Sequence, residues 1–199
     1  AGLPSSNDGS LLFLQHMIAK MDDQQGSRIG IVLNGSPLFN GDAGSGWSNI
    51  RKMLLDKNLL DCIVALPKNL FYGTDITTYL GILDNKRPVE RKDKVLVINA
   101  AHAEYTKLLQ KNLGKKRFEV SEEGAADILS IYKAYSDATR DIVYEKTGEV
   151  ENIQVARLLD YSDFLYTTVT VRRPLRLWYE NISGKYAELC LDDNFDPQS

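Results

Sequence analysis

The sequence contains little of the chemistry that marks several classes of protein. Only two of its 199 residues are cysteine and two are histidine, too few for a disulfide scaffold or for most metal clusters. Its apolar runs are far shorter than the roughly 20 residues of a membrane-spanning helix, and no signal-peptide pattern opens it. Hydrophobic residues make up 43% and charged residues 26%, as in globular domains. We therefore expect a cytoplasmic protein with no membrane segment and no metal site.

Charge is nearly balanced overall but unevenly distributed along the chain. The formal net charge of −3 argues against a protein that binds DNA along its whole surface. Between Lys86 and Arg117, however, ten Lys and Arg residues accompany only three acids. A solvated face is the first interpretation of such a run. A local nucleic-acid surface is the second, because phosphate contacts need only a patch of positive charge.

The first half of the sequence predicts helices and strands in the order typical of α/β proteins. Apolar residues at helical spacing predict a helix over 11–21. The β-branched run Ile29–Leu33 predicts a fully buried strand of the kind found in parallel sheets. A second helix follows, with Ser48 as its N-cap. Three more strands are predicted, at 60–66, 76–83 and 95–98.

The second half has weaker patterns, and we expect helices at 104–113 and 121–135, a loop over 137–151 and a strand region over 163–177. The whole order is α/β and resembles half of a doubly wound sheet. Only a helix precedes the strand at 29–33, so that strand lacks a neighbour on one side. We expect its unpaired edge to be covered or to cause self-association.

The common catalytic motifs are absent. The sequence has no P-loop, no Gly-x-Ser-x-Gly, no His-Glu-x-x-His and no Cys-x-x-Cys. The glycine-rich run Gly41–Gly46 begins eight residues after its strand, too late for the phosphate-binding turn of a dinucleotide fold. A nucleotide-binding domain built on this run is therefore a third-ranked hypothesis, behind a flexible loop that leads into a helix.

A loop between two predicted strands carries the more informative cluster. Lys68, Asn69, Phe71, Tyr72 and Thr74 follow the strand at 60–66, and ligands of α/β sheets usually bind at strand ends. The two aromatic rings can stack on a planar group while the polar side chains bond its edges. Stacking of this kind holds bases that enzymes flip out of a duplex. From composition alone, packing of one or both aromatic side chains in the core is the first interpretation, and stacking is the second.

Longer segments resemble the modification (M) subunit of type I restriction-modification systems. The resemblance covers almost the whole chain, and its first two motifs are specific. They are GSPLFNGDAGSG at 35–46, with NIRK at 49–52 and Leu54–Leu55, and IVALPKNLFYGT at 63–74. The other segments are KVLVINA at 94–100, LGKKR at 113–117, Ile128–Tyr132, DFLY at 163–166 and VTVRRPLR at 169–176.

The resemblance implies an N6-adenine DNA methyltransferase that uses S-adenosylmethionine, acts on DNA and works with the specificity and restriction subunits of its system. The family's Phe-x-Gly-x-Gly cofactor loop and Asn-Pro-Pro-Phe or -Tyr catalytic loop do not occur in this sequence. We therefore expect the back half of a Rossmann-like class I methyltransferase sheet over 1–100. A mixed helical and strand extension is expected over 101–199. The chain alone should be inactive and bind the cofactor weakly or not at all.

The same resemblance assigns roles to individual residues. Phe71 matches the aromatic residue that stacks on the flipped adenine, and Tyr72 is the second candidate. The family has a glycine where this chain has Leu165, so a turn is doubtful there. No catalytic, cofactor-binding or metal-binding residue is assigned. Contacts to DNA or to a partner subunit are expected from Lys68, Asn69, Thr74, Lys115, Lys116 and Arg117.

A second class of function fits the same residues. An α/β module without catalysis could bind DNA or partner subunits through the same framework. The coding sequence upstream of Ala1 separates the two hypotheses, because the cofactor and catalytic loops would be encoded there only for the enzyme.

Overall fold

The computed structural model describes residues 2–4, 6, 8–143, 147–165, 177–182 and 186–191. The chain divides into two compact units, Ala1–Tyr166 and Thr167–Ser199. Four α-helices are described: α1 (Ser10–Ile18), α2 (Ser36–Phe39), α3 (Gly46–Asp56) and α4 (Glu122–Ala134). The strands of the larger unit are β1 (Arg28–Leu33), β2 (Leu60–Leu66), β3 (Thr78–Asp84), β4 (Lys94–Asn99), β5 (Thr106–Leu113), β6 (Lys116–Val120), β7 (Ala138–Val143) and β8 (Val150–Asp160). The smaller unit contains the antiparallel pair β9 (Leu177–Ile182) and β10 (Tyr186–Leu191).

Six strands form one mixed sheet in the order β1-β3-β2-β4-β8-β7. Strand β3 runs antiparallel to both β1 and β2, whereas β2 and β4 are parallel. Strands β1, β2 and β4 therefore point the same way, and their carboxyl ends share one edge of the sheet. The α/β class predicted from the sequence is confirmed. The sheet includes strands on both sides of residue 100, and the predicted division into 1–100 and 101–199 stays a prediction.

Local chemistry explains where the helices begin and end. The Ser45 hydroxyl accepts a hydrogen bond from the Ser48 amide at 3.2 Å, so Ser45 is the N-cap of α3 and the assignment to Ser48 was wrong. Ser121 caps α4 in the same way, through a 3.0 Å bond from the Gly124 amide. Helix α4 ends where Tyr135 turns into the left-handed region at φ 52°. The helix predicted at 121–135 is confirmed.

The hydrophobic core has two centres. One contains residues of β2, β4 and β8 together with α4, among them Cys62, Leu96, Ile131 and Val155. Burial raises the pKa of the Cys62 thiol to about 12, so this cysteine stays protonated and unreactive at neutral pH. The second centre joins α1, α3, β1 and β3 through Leu11, Leu14, Ile29, Ile50, Leu54 and Leu83.

Strand β1 differs from its prediction. It is an edge strand that pairs antiparallel to β3, and only Ile29 and Leu33 are buried while Val32 is 45% exposed. The apolar run was interpreted as buried on both faces, but an edge strand with one covered face needs only alternate apolar residues inward. Self-association through this edge stays a prediction, which sedimentation of the chain with Val32→Lys as a comparison would test.

Two predictions in the second half were wrong. Residues 104–113 form a short 3-10 turn and β5 instead of a helix, because Gly114 and Lys115 make a two-residue turn that pairs Leu113 with Lys116. Residues 137–151 contain β7 and the first residues of β8 instead of a loop. Most of the described side chains there are exposed, and Ile142 is buried at 3% exposure.

The strand region predicted at 163–177 is only partly described. Asp163 and Phe164 end a 3-10 turn whose Asp160 amide donates to the Asp163 carboxylate at 3.0 Å, so a strand does not begin there. Leu165 has extended backbone with φ −94°, a conformation that needs no glycine. Residues 166–176 lie outside the described part of the chain.

Candidate functional site

The candidate site is the loop that follows β2 at the edge where β1, β2 and β4 end. Within this loop Leu70 is buried at 9% exposure, whereas Phe71 is 39% and Tyr72 is 72% exposed. Asn69 holds a left-handed backbone at φ 58°, and Phe71 forms an isolated bridge with Thr74. Leu70 thus anchors the loop while both neighbouring aromatic rings stay accessible. The alternative, in which these rings belong to the core, does not hold for Tyr72.

A ribbon of two strands supports this loop. Among the described strands, β5 and β6 pair with each other alone, and the main chain of this pair binds the loop at two points. The Asn69 carbonyl accepts hydrogen bonds from the amides of Arg117 at 2.9 Å and Phe118 at 3.3 Å. The Tyr72 carbonyl accepts one from the Lys115 amide at 3.0 Å. We call β5, its turn and β6 the supporting ribbon.

Side chains add to these main-chain contacts. The Asn69 amide nitrogen donates to the Lys115 carbonyl at 3.1 Å, and the Lys115 ammonium lies 3.3 Å from the Asp75 carboxylate. The hydrogen bond from Lys115 lowers the pKa of Asp75. The structure thus brings together two segments that are distant in the sequence, the loop at 68–74 and the basic triplet at 115–117.

The site is positively charged. Lys68 and Arg117 are exposed and Lys116 is half-buried. Among the described residues no carboxylate forms an ion pair with any of the three. These cations therefore remain available to an anionic partner, whereas Lys115 is already shared with Asp75.

Part of the basic run at 86–117 has a different role. Arg87 Nε lies 3.1 Å from Asp61 Oδ1, and these side chains are only 4% and 2% exposed. Arg91 reaches the other Asp61 oxygen at 3.2 Å and stacks over the Tyr135 ring at 4.1 Å. Tyr132 donates its hydroxyl to the same carboxylate. Two of the ten cations thus neutralise a buried acid, and the count of charges overstated the positive surface.

An arginine binds the chain just before the glycine-rich run and at its first residue. The carbonyl groups of Pro37, Asn40 and Gly41 accept hydrogen bonds from the Arg51 guanidinium. A phosphate cradle instead presents amide groups to its ligand. The carbonyl oxygens at this end of the run therefore face a cation and not an anion.

Sequence reasoning missed a polar pair at the same edge. Asn99 ends β4 and lies opposite Ala65 of β2. Its amide nitrogen is 3.3 Å from His102 Nε2. Its side-chain oxygen accepts from the Ala101 amide at 3.2 Å. A polar residue at the carboxyl end of a strand parallel to β2 was the available signal.

Two classes of site are not seen in the described ranges. No group of three or more His, Cys, Asp or Glu side chains there is arranged to hold a metal ion. None of the helices described is both long and apolar enough to cross a bilayer.

The structure thus presents a mixed α/β sheet with an exposed aromatic loop and a basic ribbon at its carboxyl edge. Comparison with known proteins defines the family. The family model of N-6 DNA Methylase matches residues 1–161. The chain belongs to this family.

The curated relatives are methylase subunits of type I restriction enzymes. The MjaVIII methylase subunit of Methanocaldococcus jannaschii is 33% identical over 136 residues, which are 68% of this chain and 22% of that protein. The HindI methylase subunit of Haemophilus influenzae is 32% identical over 109 residues, 53% of this chain and 23% of the relative. The chain thus spans about a fifth of the length of the relatives it matches.

Solved structures agree with the sequence comparison. The type I restriction-modification methyltransferase subunit from Streptococcus thermophilus superimposes with a TM-score of 0.61 and 25% identity, covering 80% of this chain and 28% of that chain. The EcoKI M protein has a TM-score of 0.53 at 19% identity and supports the fold alone. The predicted resemblance and the predicted class of sheet, part of a methyltransferase subunit, are confirmed.

Proposed function

We propose that the complete protein transfers a methyl group from S-adenosylmethionine to the exocyclic amine of adenine in DNA. This chain supplies the side of the active site that holds the target base. The observation that carries the proposal is the exposed pair Phe71 and Tyr72 at the carboxyl edge of the sheet, next to unpaired cations, in a member of the N-6 DNA methylase family.

Phe71 is the residue that we assign to stacking on the flipped adenine. It lies in the loop directly before β3, which is the strand that runs antiparallel between β1 and β2. Its partial exposure leaves one surface of the ring for the base while Leu70 fixes the main chain beside it. Tyr72, which is more exposed, is the second candidate. Base stacking on such a ring contributes about 1–3 kcal/mol.

The polar residues around the loop divide into two groups. Lys68, Lys116 and Arg117 are assigned to DNA phosphates beside the extruded base, because they carry unpaired charge at the surface. Thr74 is assigned to an edge contact with DNA, although its hydroxyl also accepts from the Ile76 amide. Asn69 and Lys115 were expected to contact DNA or a subunit. Their side chains already bind the Lys115 carbonyl and Asp75, and a contact to DNA would compete with these bonds.

The cofactor site is assigned mostly to the part of the complete protein upstream of this chain. At the start of the glycine-rich run the carbonyl of Gly41, with those of Pro37 and Asn40 before it, is already bound by Arg51, so we assign no cofactor contact there. The partners that we propose are a specificity subunit and a restriction subunit of the same system, in the cytoplasm.

The test is product analysis with the complete subunit. Incubation with unmethylated DNA and methyl-labelled S-adenosylmethionine, followed by digestion to nucleosides, is expected to give N6-methyladenine. The matched control is the complete subunit with alanine in place of the Asn of its Asn-Pro-Pro loop, which should give no label. Label on cytosine, or no label with the whole assembly, would contradict the proposal and favour the non-catalytic DNA- or subunit-binding module.

A further inference from the structure

The loop that carries Phe71 is held by the supporting ribbon on both sides of that residue. The anchor before Phe71 is the Asn69 carbonyl, which accepts from the Arg117 and Phe118 amides. The anchor after it is the Tyr72 carbonyl, which accepts from the Lys115 amide. A main chain fixed at positions 69 and 72 leaves the backbone between them little freedom. The position of the Phe71 ring therefore depends on the ribbon.

Gly114 sets the distance between the ribbon turn and the loop. Its backbone is left-handed at φ +59°, and a Cβ atom there would lie 2.8 Å from the Tyr72 ring and 2.9 Å from the Tyr72 carbonyl oxygen. Real Cβ atoms do not approach a backbone oxygen so closely. Any side chain at position 114 therefore pushes the ribbon away from the loop or displaces the Tyr72 main chain.

At the end away from its turn, the supporting ribbon is held to helix α4 through Tyr105. Tyr105, which precedes β5, is buried at 3% exposure, and its carbonyl accepts from the Ser121 amide at 3.0 Å. Its hydroxyl donates to the Asp127 carboxylate at 3.0 Å, and Arg140 binds that carboxylate at 2.7 Å. Between Tyr105 and the turn, large apolar side chains of the ribbon are exposed to solvent: Leu108 is 67% and Leu113 is 53% exposed. The ribbon is therefore held at two places, at Tyr105 and at its contact with the aromatic loop.

We propose that the supporting ribbon positions the base-stacking ring, with Gly114 and Asn69 as the positioning residues. They act through the main chain of the loop at Phe71 and Tyr72 and do not themselves touch the base. This inference rests on the proposed function. It gives a role to the contact between this largely exposed ribbon and the aromatic loop.

The experiment compares Gly114→Ala with Gly148→Ala in the complete subunit, assembled with its partners. Both glycines have left-handed backbone, at φ +59° and φ +69°, but nothing lies within 4 Å of a Cβ at Gly148. The two variants share the backbone strain and differ in the contact with Tyr72. We expect Gly114→Ala to lower kcat for methyl transfer about tenfold, with KM for S-adenosylmethionine unchanged. We expect Gly148→Ala to stay within twofold of the wild type.

The decisive comparison repeats Gly114→Ala in a background that carries Phe71→Ala and Tyr72→Ala. A residue that acts through the aromatic rings has no further effect once they are absent, so kcat should not fall again. Asn69→Gly keeps the left-handed backbone but removes the amide bond to the Lys115 carbonyl. It provides a second variant if Gly114→Ala fails to fold, and it is expected to lower kcat three- to tenfold only when the rings are present.

The outcomes of these experiments separate a failure of the positioning role from a failure of the stacking function. A tenfold loss from Gly114→Ala that recurs in the ring-free background overturns the positioning role, as does an equal loss from Gly148→Ala. No loss from either Gly114→Ala or Asn69→Gly also overturns it. If the ring-free background itself methylates DNA at the wild-type rate, the stacking function fails, and that result is independent of the glycine variants.

Discussion

Asp61 shows at the scale of a single residue how burial decides the role of a charge. Its carboxylate is almost fully enclosed, yet it meets Arg87, Arg91 and the Tyr132 hydroxyl. The Tyr135 hydroxyl donates to its main-chain carbonyl at 2.9 Å, and burial followed by the negative charge of Asp61 raises the pKa of Tyr135. This cluster joins β2, the segment before β4 and the end of α4.

Removing the charge of Asp61 should therefore destabilise the fold strongly. Asp61→Asn leaves the two arginines without their counter-charge, and breaking a buried pair costs about 3–5 kcal/mol. The measurement is urea unfolding of the chain. Asp56→Asn is the matched control, because Asp56 pairs with Lys52 on an exposed helix face and should cost less than about 0.5 kcal/mol. Similar losses for both variants would contradict the structural role of the cluster.

The contacts of single residues also show which roles could not be predicted from the sequence. Nothing in the spacing of Arg87 and Arg91 marks them as internal, because their partner Asp61 lies some thirty positions earlier in the chain. The aromatic loop was different. Phe71 and Tyr72 were recognised as candidates from their place between strands, and their exposure agrees with that choice. Predicting the role of the two arginines would have required knowledge of contacts between residues distant in the sequence.

At the scale of elements, the strength of the hydrophobic pattern decided which predictions held. Helix α4 was recognised from its helical period, and strands β2 and β4 from short, continuous apolar runs. The segment 104–113, which contains β5, was predicted as a helix because its apolar residues at 105, 108, 109 and 113 fit helical spacing. Most of its side chains are exposed, so burial imposes no period, and Gly114 at the turn was the better signal.

The contact between α4 and β7 predicts a dependence on pH. Hydrogen bonds from Arg140 lower the pKa of Asp127 from its ordinary value. A depressed folded-state pKa contributes stability above the unfolded pKa, and this contribution is lost as pH falls through the folded value. Arg140→Gln should therefore cost about 1 kcal/mol at pH 7, since the pair is partly exposed. The cost should shrink below about pH 4.

The measurement is denaturant unfolding of wild type and Arg140→Gln between pH 7 and pH 3. Arg157→Gln, on an exposed position of β8, is the control and should show little change over this range. A cost of Arg140→Gln that stays constant or grows toward pH 3 would contradict the assignment of this stability to the Asp127 carboxylate.

At the scale of the whole molecule, positive charge is concentrated by the fold. The net charge of −3 gives no indication of DNA binding, and the linear run at 86–117 includes two arginines that form ion pairs with the buried Asp61. The loop and ribbon instead bring Lys68, Lys116 and Arg117 to one site. The sequence could suggest a basic patch but could not define its members, because the ribbon contact joins segments more than forty residues apart.

This concentration predicts the salt dependence of DNA binding. Each phosphate contact contributes about 0.9 to the slope of log affinity against log salt concentration. Neutralising Lys68, Lys116 and Arg117 to Gln in the complete subunit should reduce that slope by roughly two to three. The same change at the exposed residues Lys20, Lys57 and Lys133 is the control and should leave it nearly constant. Equal slopes for both triple variants would place DNA elsewhere.

The central claim is that the ring of Phe71 holds the target base, and methyl-transfer kinetics of Phe71 variants test it most directly. At limiting DNA, Phe71→Ala in the complete subunit should lower kcat/KM by about ten- to a hundredfold, from a loss of about 1–3 kcal/mol of stacking. Phe71→Trp should stay within a few-fold of wild type, because it keeps an aromatic surface. Phe164→Ala, a half-buried position in the 3-10 turn after β8, is the control. Full activity of Phe71→Ala at limiting DNA would contradict the account.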